Sequence, residues 1–251
     1  LAADAGKNDP FPFQGEFRLK SGGWITLTRM GVTEALAKPM FIDWQGGRNG
    51  ILAVAGEDRL VSPPPATPGA PWQAEIVFKR DAAGRVSGLE IIEKGEAPRS
   101  AERLLPWNEL DVTFASGPLT LAGTLLRPAG ERLLPAVVLV HGSGPGTRHQ
   151  LSVMASFFAH LGMAVLSYDK RGCGRSGGDW KQVDLEDLAA DALAAVRWLR
   201  AHPGIDGKRV GLWGISQGGW ITPLAGAVDP GVAFVINSSG PGTSLRRQDL
   251  Y

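Results

Sequence analysis

The chain has 251 residues, 43% of them hydrophobic and 20% charged, the composition of a globular protein able to bury a sizeable core. Its 26 basic and 25 acidic residues nearly cancel, so there is no basic field to attract nucleic acid or an anionic membrane surface. No apolar run approaches the roughly 18 residues of a membrane-spanning helix, and a single cysteine, Cys173, excludes an intrachain disulfide.

The start, Leu1-Ala2-Ala3-Asp4-Ala5-Gly6, lacks a methionine. It fits a trimmed beginning or the remnant of a processed leader, which leans toward a periplasmic or secreted location. Residues 1–15 read as an extended lead-in. From Glu16 to Glu96 the signals are short and β-like: 24–28, 40–44, 50–54, then 72–78 and 86–92 around the turn at 81–85, a hairpin. The Pro-rich stretch 62–71 reads as an exposed loop. This part predicts a small antiparallel β domain, barrel or sandwich, with Trp24, Phe41, Trp44, Trp72 and Phe78 in its core. Residues 97–108 read as a linker.

After Leu110 the pattern changes. Residues 112–114 and 119–126 flank Ser116-Gly117-Pro118, a second hairpin signal. Ala136–Val140 is continuously apolar, as in a strand buried on both faces. A helix over 152–161, a strand over 163–168 and a helix from about Asp184 to Arg200 follow. That second helix repeats Leu185, Leu188, Ala192, Val196 and Leu199 at helical spacing. Strand 209–213, a helix from 220 and strand 232–236 complete the sequence. The predicted class is α/β: a mostly parallel, doubly wound sheet over 106–251, preceded by the antiparallel β domain with its linker over 1–105.

The chemistry concentrates at Gly214-Ile215-Ser216-Gln217-Gly218. Strand, G-x-S-x-G, helix is the context of a nucleophile elbow, in which the serine stands on a strained turn. The N–H of Gln217, at the helix start, would face a developing oxyanion. A second stretch, His141-Gly142-Ser143-Gly144-Pro145-Gly146, directly follows the strand at 136–140. Its backbone N–H groups suit the same oxyanion, Ser143 first and Gly144 second. His141 reads as a loop brace, and His149, His160 and His202 as surface or helix histidines. Gly172-Cys173-Gly174-Arg175-Ser176-Gly177 matches G-x-G-x-x-G, but the next helix starts too late for a dinucleotide site. Cys173 has no histidine beside it in sequence to make it a nucleophile. The residues call for no cofactor and no metal.

Taken together, 141–146, Tyr168-Asp169-Lys170-Arg171-Gly172-Cys173-Gly174-Arg175-Ser176 and 214–218 resemble the α/β-hydrolase superfamily in order and spacing. They look most like its bacterial esterases related to prolyl-oligopeptidase and dienelactone hydrolase. The resemblance covers about Leu110 to Tyr251. It implies Ser216 as nucleophile, Ser143 and Gln217 as backbone oxyanion donors, and 169–176 as a structural loop beside the site. The motifs carry little about substrate: ester, thioester, lactone and small peptide stay open, with small acyl esters the first expectation.

One feature departs from the family pattern, in which the triad runs serine, acid, histidine. All four histidines here precede Ser216, and Asp229 and Asp249 are acids in name only. The expectation is that the triad acid and histidine lie beyond Tyr251, in a continuing or separate C-terminal segment. The alternative is a non-catalytic binding protein on a degenerate scaffold.

Overall fold

The computed structural model describes residues 13–30, 38–62, 74–130, 132–240 and 242. It divides into two compact units, Leu1–Leu105 and Pro106–Tyr251.

Among the described residues, the first unit forms nine strands: β1 (Gly15–Leu19), β2 (Trp24–Met30), β3 (Lys38–Asp43), β4 (Arg48–Ile51), β5 (Ala53–Gly56), β6 (Arg59–Val61), β7 (Ala74–Arg80), β8 (Val86–Glu93) and β9 (Arg99–Leu104). They pair antiparallel in the order β4-β3-β2-β1-β9-β8-β7-β6-β5. Strands β4 and β5 end that order on opposite sides, yet only Leu52 separates them in the chain. The sheet therefore curls until its two ends meet, and the N–H of Leu52 donates to the Pro39 carbonyl at 2.8 Å. Alternate side chains point inward. Phe17, Ile25, Phe41, Leu52, Leu60, Ile76, Leu89 and Ile91 are all at least 98% buried, forming one core.

Three sequence expectations change here. Residues 97–108 are not a linker: 99–104 form β9, paired on one side with β1 and on the other with β8. The charges of Arg99, Glu102 and Arg103 disguise it, because only Ala101 in this strand is buried. The stretch 50–54 is broken at Leu52 rather than continuous. Trp24 and Trp44 are only partly buried, with Trp44 Nε1 donating to Thr26 Oγ1 at 2.7 Å. Trp72 and residues 63–71 of the Pro-rich stretch lie outside the described residues.

The second unit contains β10 (Trp107–Ser116), β11 (Leu119–Pro128), β12 (Leu134–Val140), α1 (Ser152–His160), β13 (Ala164–Tyr168), α2 (Leu185–Ala201), β14 (Ile205–Ile215), α3 (Gly218–Val228) and β15 (Val235–Ser238). The sheet order is β10-β11-β13-β12-β14-β15. It is a mixed sheet. The β10–β11 and β11–β13 pairs are antiparallel, and β13–β12, β12–β14 and β14–β15 are parallel. The two-residue turn at Gly117-Pro118 obliges β10 and β11 to pair antiparallel, whereas parallel neighbours need a long crossover.

Successive residues of β12 alternate between the two faces. Val137 and Leu139 pack with Ala155, Phe158 and Ala159 of α1. Ala136, Val138 and Val140 pack with α2 residues such as Ala192, Val196 and Leu199. The side chain of Asp184 caps α2, accepting from the N–H of Asp187 at 2.9 Å, which satisfies one of the free donors at a helix start. The last strand begins at Val235 rather than at 232.

Arg99 shows how the first unit tolerates buried charge. Its guanidinium meets Asp43 Oδ2 at 2.7 Å and Glu93 Oε2 at 3.0 Å, and both carboxylate side chains are at least 95% buried. Removing the cation leaves buried Asp43 with no arginine and only the Gly46 N–H, while Glu93 keeps Arg48; breaking a buried pair this way typically costs about 3 kcal/mol or more. Arg99→Ala should lower the unfolding free energy of this unit by about that amount in urea denaturation. A loss below about 1 kcal/mol would show that the pair is no stronger than a surface bridge.

Candidate active site

Strands β13, β12 and β14 lie side by side and parallel, with Leu139 beside both Ser167 and Trp213. Their carboxyl ends therefore deliver three segments to one edge of the sheet: 141–146 from β12, 169–176 from β13 and 216–217 from β14. That edge is where open α/β sheets bind ligands.

Ser216 sits at the turn between β14 and α3 and is exposed. Its φ is +52°, a left-handed conformation that side chains other than glycine adopt rarely and at a cost of order 1–2 kcal/mol. The turn holds because its neighbours are closely packed. The N–H of Ser216 donates to the Ser238 carbonyl at 3.1 Å, and its own carbonyl accepts from the N–H of Gly219 at 2.8 Å. A Cβ at Gly218 would stand 2.7 Å from the Val140 carbonyl oxygen, and one at Gly214 would stand 2.6 Å from the Gly218 carbonyl carbon. Only glycine permits those approaches. On α3, Thr222 Oγ1 donates to the Gly218 carbonyl at 3.0 Å and Asn237 Nδ2 donates to the Gly219 carbonyl at 3.1 Å.

The loop after β12 lies against this turn. A Cβ placed on Gly142 would be 3.4 Å from Ser216 Cβ and 3.9 Å from Ser216 Oγ. Among the described residues, the backbone N–H groups of Ser143, Gly144 and Gln217 donate to no other backbone group. They remain available at the same edge as the serine.

His141 is buried beneath the loop, 3% exposed. Its Nε2–H donates to the Thr147 carbonyl at 3.0 Å, and its ring meets Tyr168 edge to face at 5.7 Å. Burial pushes its pKa down to about 4, with the Lys170 cation adding to the effect. This histidine is neutral and braced near pH 7. His160 packs edge to face on Trp107, and His202 lies against Trp198. Asp229 is paired with Arg200 at 2.6 Å, while Asp249 lies outside the described residues.

The segment after β13 does more than its sequence suggests. Asp169 is 2% exposed. Burial pushes its carboxyl up, but hydrogen bonds from Arg148 and from the Arg175 N–H outweigh that and hold it below its usual range. The Arg148 N–H and guanidinium both bind it, at 2.8 Å each. Arg171 clamps Asp191 of α2 at 2.7 and 2.9 Å, and Asp191 also accepts from Ser116 Oγ at 2.6 Å. Between them, Lys170 reaches the loop after β12 and the side chain of Gln217. The pattern reading passed over Lys170 and Arg148. The available signal was their position: a lysine directly after a buried strand, and an arginine on a glycine-rich loop. Cys173 is buried and accepts from the Gly146 N–H at 3.4 Å, a packing role. No group of three or more His, Cys, Asp or Glu able to hold a metal occurs among the described residues. No helix among them is long and apolar enough to cross a membrane.

Residues 117–251 match the model of the X-Pro dipeptidyl-peptidase (S15) family. The quorum-quenching protein AidA of Acinetobacter baumannii is 35% identical over 134 residues, 53% of this chain and 44% of AidA. The thiohydrolase aneE of Aspergillus aculeatus is 37% identical over 123 residues, 47% of this chain and 39% of aneE. The crystal structure of the α/β-hydrolase GrgF from Penicillium shares 31% identity with a TM-score of 0.48, covering 58% of this chain and 50% of GrgF. The chain thus spans about half the length, or less, of the curated relatives it matches. Because the family match takes in more than half of its residues, the chain belongs to the X-Pro dipeptidyl-peptidase (S15) family, within the α/β-hydrolases.

Proposed function

We propose that this chain carries the nucleophile and the oxyanion hole of a serine hydrolase acting on small acyl esters. The observation that carries the reading is Ser216: exposed, at φ +52°, on the turn between β14 and α3. In this scheme Ser216 Oγ attacks the acyl carbonyl, and the developing oxyanion accepts from the backbone N–H groups of Ser143 and Gln217. The alcohol departs with a proton, leaving an acyl-enzyme on Ser216. Water then releases the acid. In this reading the whole protein supplies the proton acceptor and its acid partner from outside the described residues, and His141 stays a loop brace bonded to the Thr147 carbonyl. Residues 1–105 act in this reading as an accessory β domain that folds apart from the hydrolase unit.

A second reading, thioester hydrolysis, is favoured by the name of the thiohydrolase relative from Aspergillus aculeatus. Both reactions pass through the same tetrahedral oxyanion. Relative rates on p-nitrophenyl acetate, an acyl-N-acetylcysteamine and an X-Pro p-nitroanilide discriminate ester, thioester and peptide preference.

The nucleophile is tested with a fluorophosphonate probe and mass spectrometry on the whole protein, with the segment that carries the triad acid and histidine present. Ser216 should be the one labelled residue, and Ser216→Ala should lose labelling and lower kcat by about a million-fold. Labelling that persists in Ser216→Ala removes this serine from the mechanism.

His141 has its own signature. Its proton affinity in the fold is depressed to about pKa 4, against about 6.5 when unfolded. The unfolded chain therefore binds a proton first as pH falls. The corresponding stability is present above pH 6.5 and is lost between about 6.5 and 4, on the order of 3 kcal/mol. In His141→Gln the carboxamide N–H can still meet the Thr147 carbonyl, and that part of the acid slope should disappear from denaturant melts. An unchanged slope would mean that His141 titrates normally and is not the buried brace.

A further inference from the structure

Lys170 is a lysine with no carboxylate partner, 3% exposed, directly after β13. Its ammonium donates to the Gly142 carbonyl at 2.6 Å, the Gly144 carbonyl at 3.0 Å and Gln217 Oε1 at 3.3 Å. The Trp180 ring lies 5.6 Å away, face-on to the charge. Three acceptors match its three N–H donors. They belong to two different segments, the loop after β12 and the turn that carries Ser216.

The consequence follows from peptide geometry. Within a trans peptide the C=O and the next residue's N–H lie in one plane and point in opposite directions. The Gly142 carbonyl is turned toward Lys170, so the N–H of Ser143, in the same peptide unit, is turned away from it. A charge-assisted bond to the carbonyl also polarises that N–H, strengthening it as a donor. The bond to Gly144 pins the far side of the same loop, and the bond to Gln217 ties the loop to the serine turn.

We propose that Lys170 is a positioning residue for acyl transfer: it fixes the Gly142–Ser143 peptide so that the Ser143 N–H faces the acyl oxygen at Ser216. This rests on the assignment of Ser216 and Ser143 above. Lys170 touches no substrate and acts through that peptide and through Gln217.

The charged and titratable groups around Lys170 are few. Asp169 is turned to Arg148 and the Arg175 N–H. His141 is neutral near pH 7, Cys173 is a buried thiol, and Lys181 lies over the same Trp180 ring at 5.8 Å. Arg171 is committed to Asp191. Burial pushes the Lys170 pKa down to about 8, so its charge is lost as pH rises through that value. The neutral amine keeps two donors for three acceptors.

The test uses the whole protein, with the segment that carries the triad acid and histidine present, on p-nitrophenyl acetate and the fluorophosphonate probe, comparing wild type, Lys170→Met and Ser216→Ala. Deleting one oxyanion donor outright typically costs about a hundredfold or more in kcat, and a donor merely misdirected should cost about tenfold to a hundredfold. Lys170→Met should lower kcat by that factor with KM within about twofold. The wild-type kcat should fall as pH rises past about 8, and this fall should be absent in Lys170→Met. Lys170→Ala, if Lys170→Met folds poorly, should regain rate with added propylamine but not with propanol. A Lys170→Met enzyme with unchanged kcat overturns the proposal. So does a loss that appears as a lower melting temperature with kcat per folded molecule intact. Normal labelling in Lys170→Met beside lost labelling in Ser216→Ala defeats the Lys170 role alone, whereas labelling that survives in Ser216→Ala defeats the nucleophile assignment beneath it.

Discussion

The approach of Gly218 to the end of β12 sets the geometry on which the candidate site depends. With no side chain at 218, the first turn of α3 comes within van der Waals reach of the Val140 and His141 carbonyls. That closeness is possible only because β12 and β14 are adjacent parallel strands in register, with Val140 beside Gly214. The turn is then short enough to force Ser216 into its left-handed conformation. The strain is sustained by the bonds to Ser238 and Gly219, in the manner of functional sites that store strain against a rigid frame. The loop 141–144 has nowhere to go but over the serine, and Lys170 draws its carbonyls to the other side.

Charge is handled similarly in both units: buried Asp43, Asp169 and Asp191 each meet an arginine. Asp169 with Arg148, Asp191 with Arg171 and Asp43 with Arg99 share this logic. Such pairs contribute little net free energy against an apolar alternative, but losing one partner is severe. In the second unit they have a geometric role, since Asp169 and Asp191 fix both ends of the segment that presents Lys170.

Much of this was legible in the sequence where the local signal and the tertiary environment agree. Ala136–Val140 is apolar because both faces of β12 are covered, and α2 repeats its apolar residues because one stripe faces the sheet. The glycines around Ser216 announce a turn too crowded for side chains. What stayed hidden was polar. Strand β9 reads as linker because its charged arginines find partners on other strands and loops, Arg99 on Asp43 and Glu93, and Arg103 on the Gln14 carbonyl, which no local pattern records. The break at Leu52 is a consequence of sheet closure, a property of nine strands together. Lys170 looked like one more charge on a loop, since its three acceptors are separated from it by at least 26 positions.

Two pairings of the second sheet differ in how they can be assembled. The β10–β11 hairpin pairs ten residues with ten across a two-residue turn, contacts that form early because little loop entropy opposes them. The β12–β14 pair has to wait for α1, β13 and α2 to be threaded between its partners. Ser216 is held in its conformation only once β14 lies between β12 and β15, since its N–H bonds to the Ser238 carbonyl of β15. A nascent or partly unfolded chain therefore presents this residue as an ordinary serine, without the left-handed turn that the completed sheet imposes.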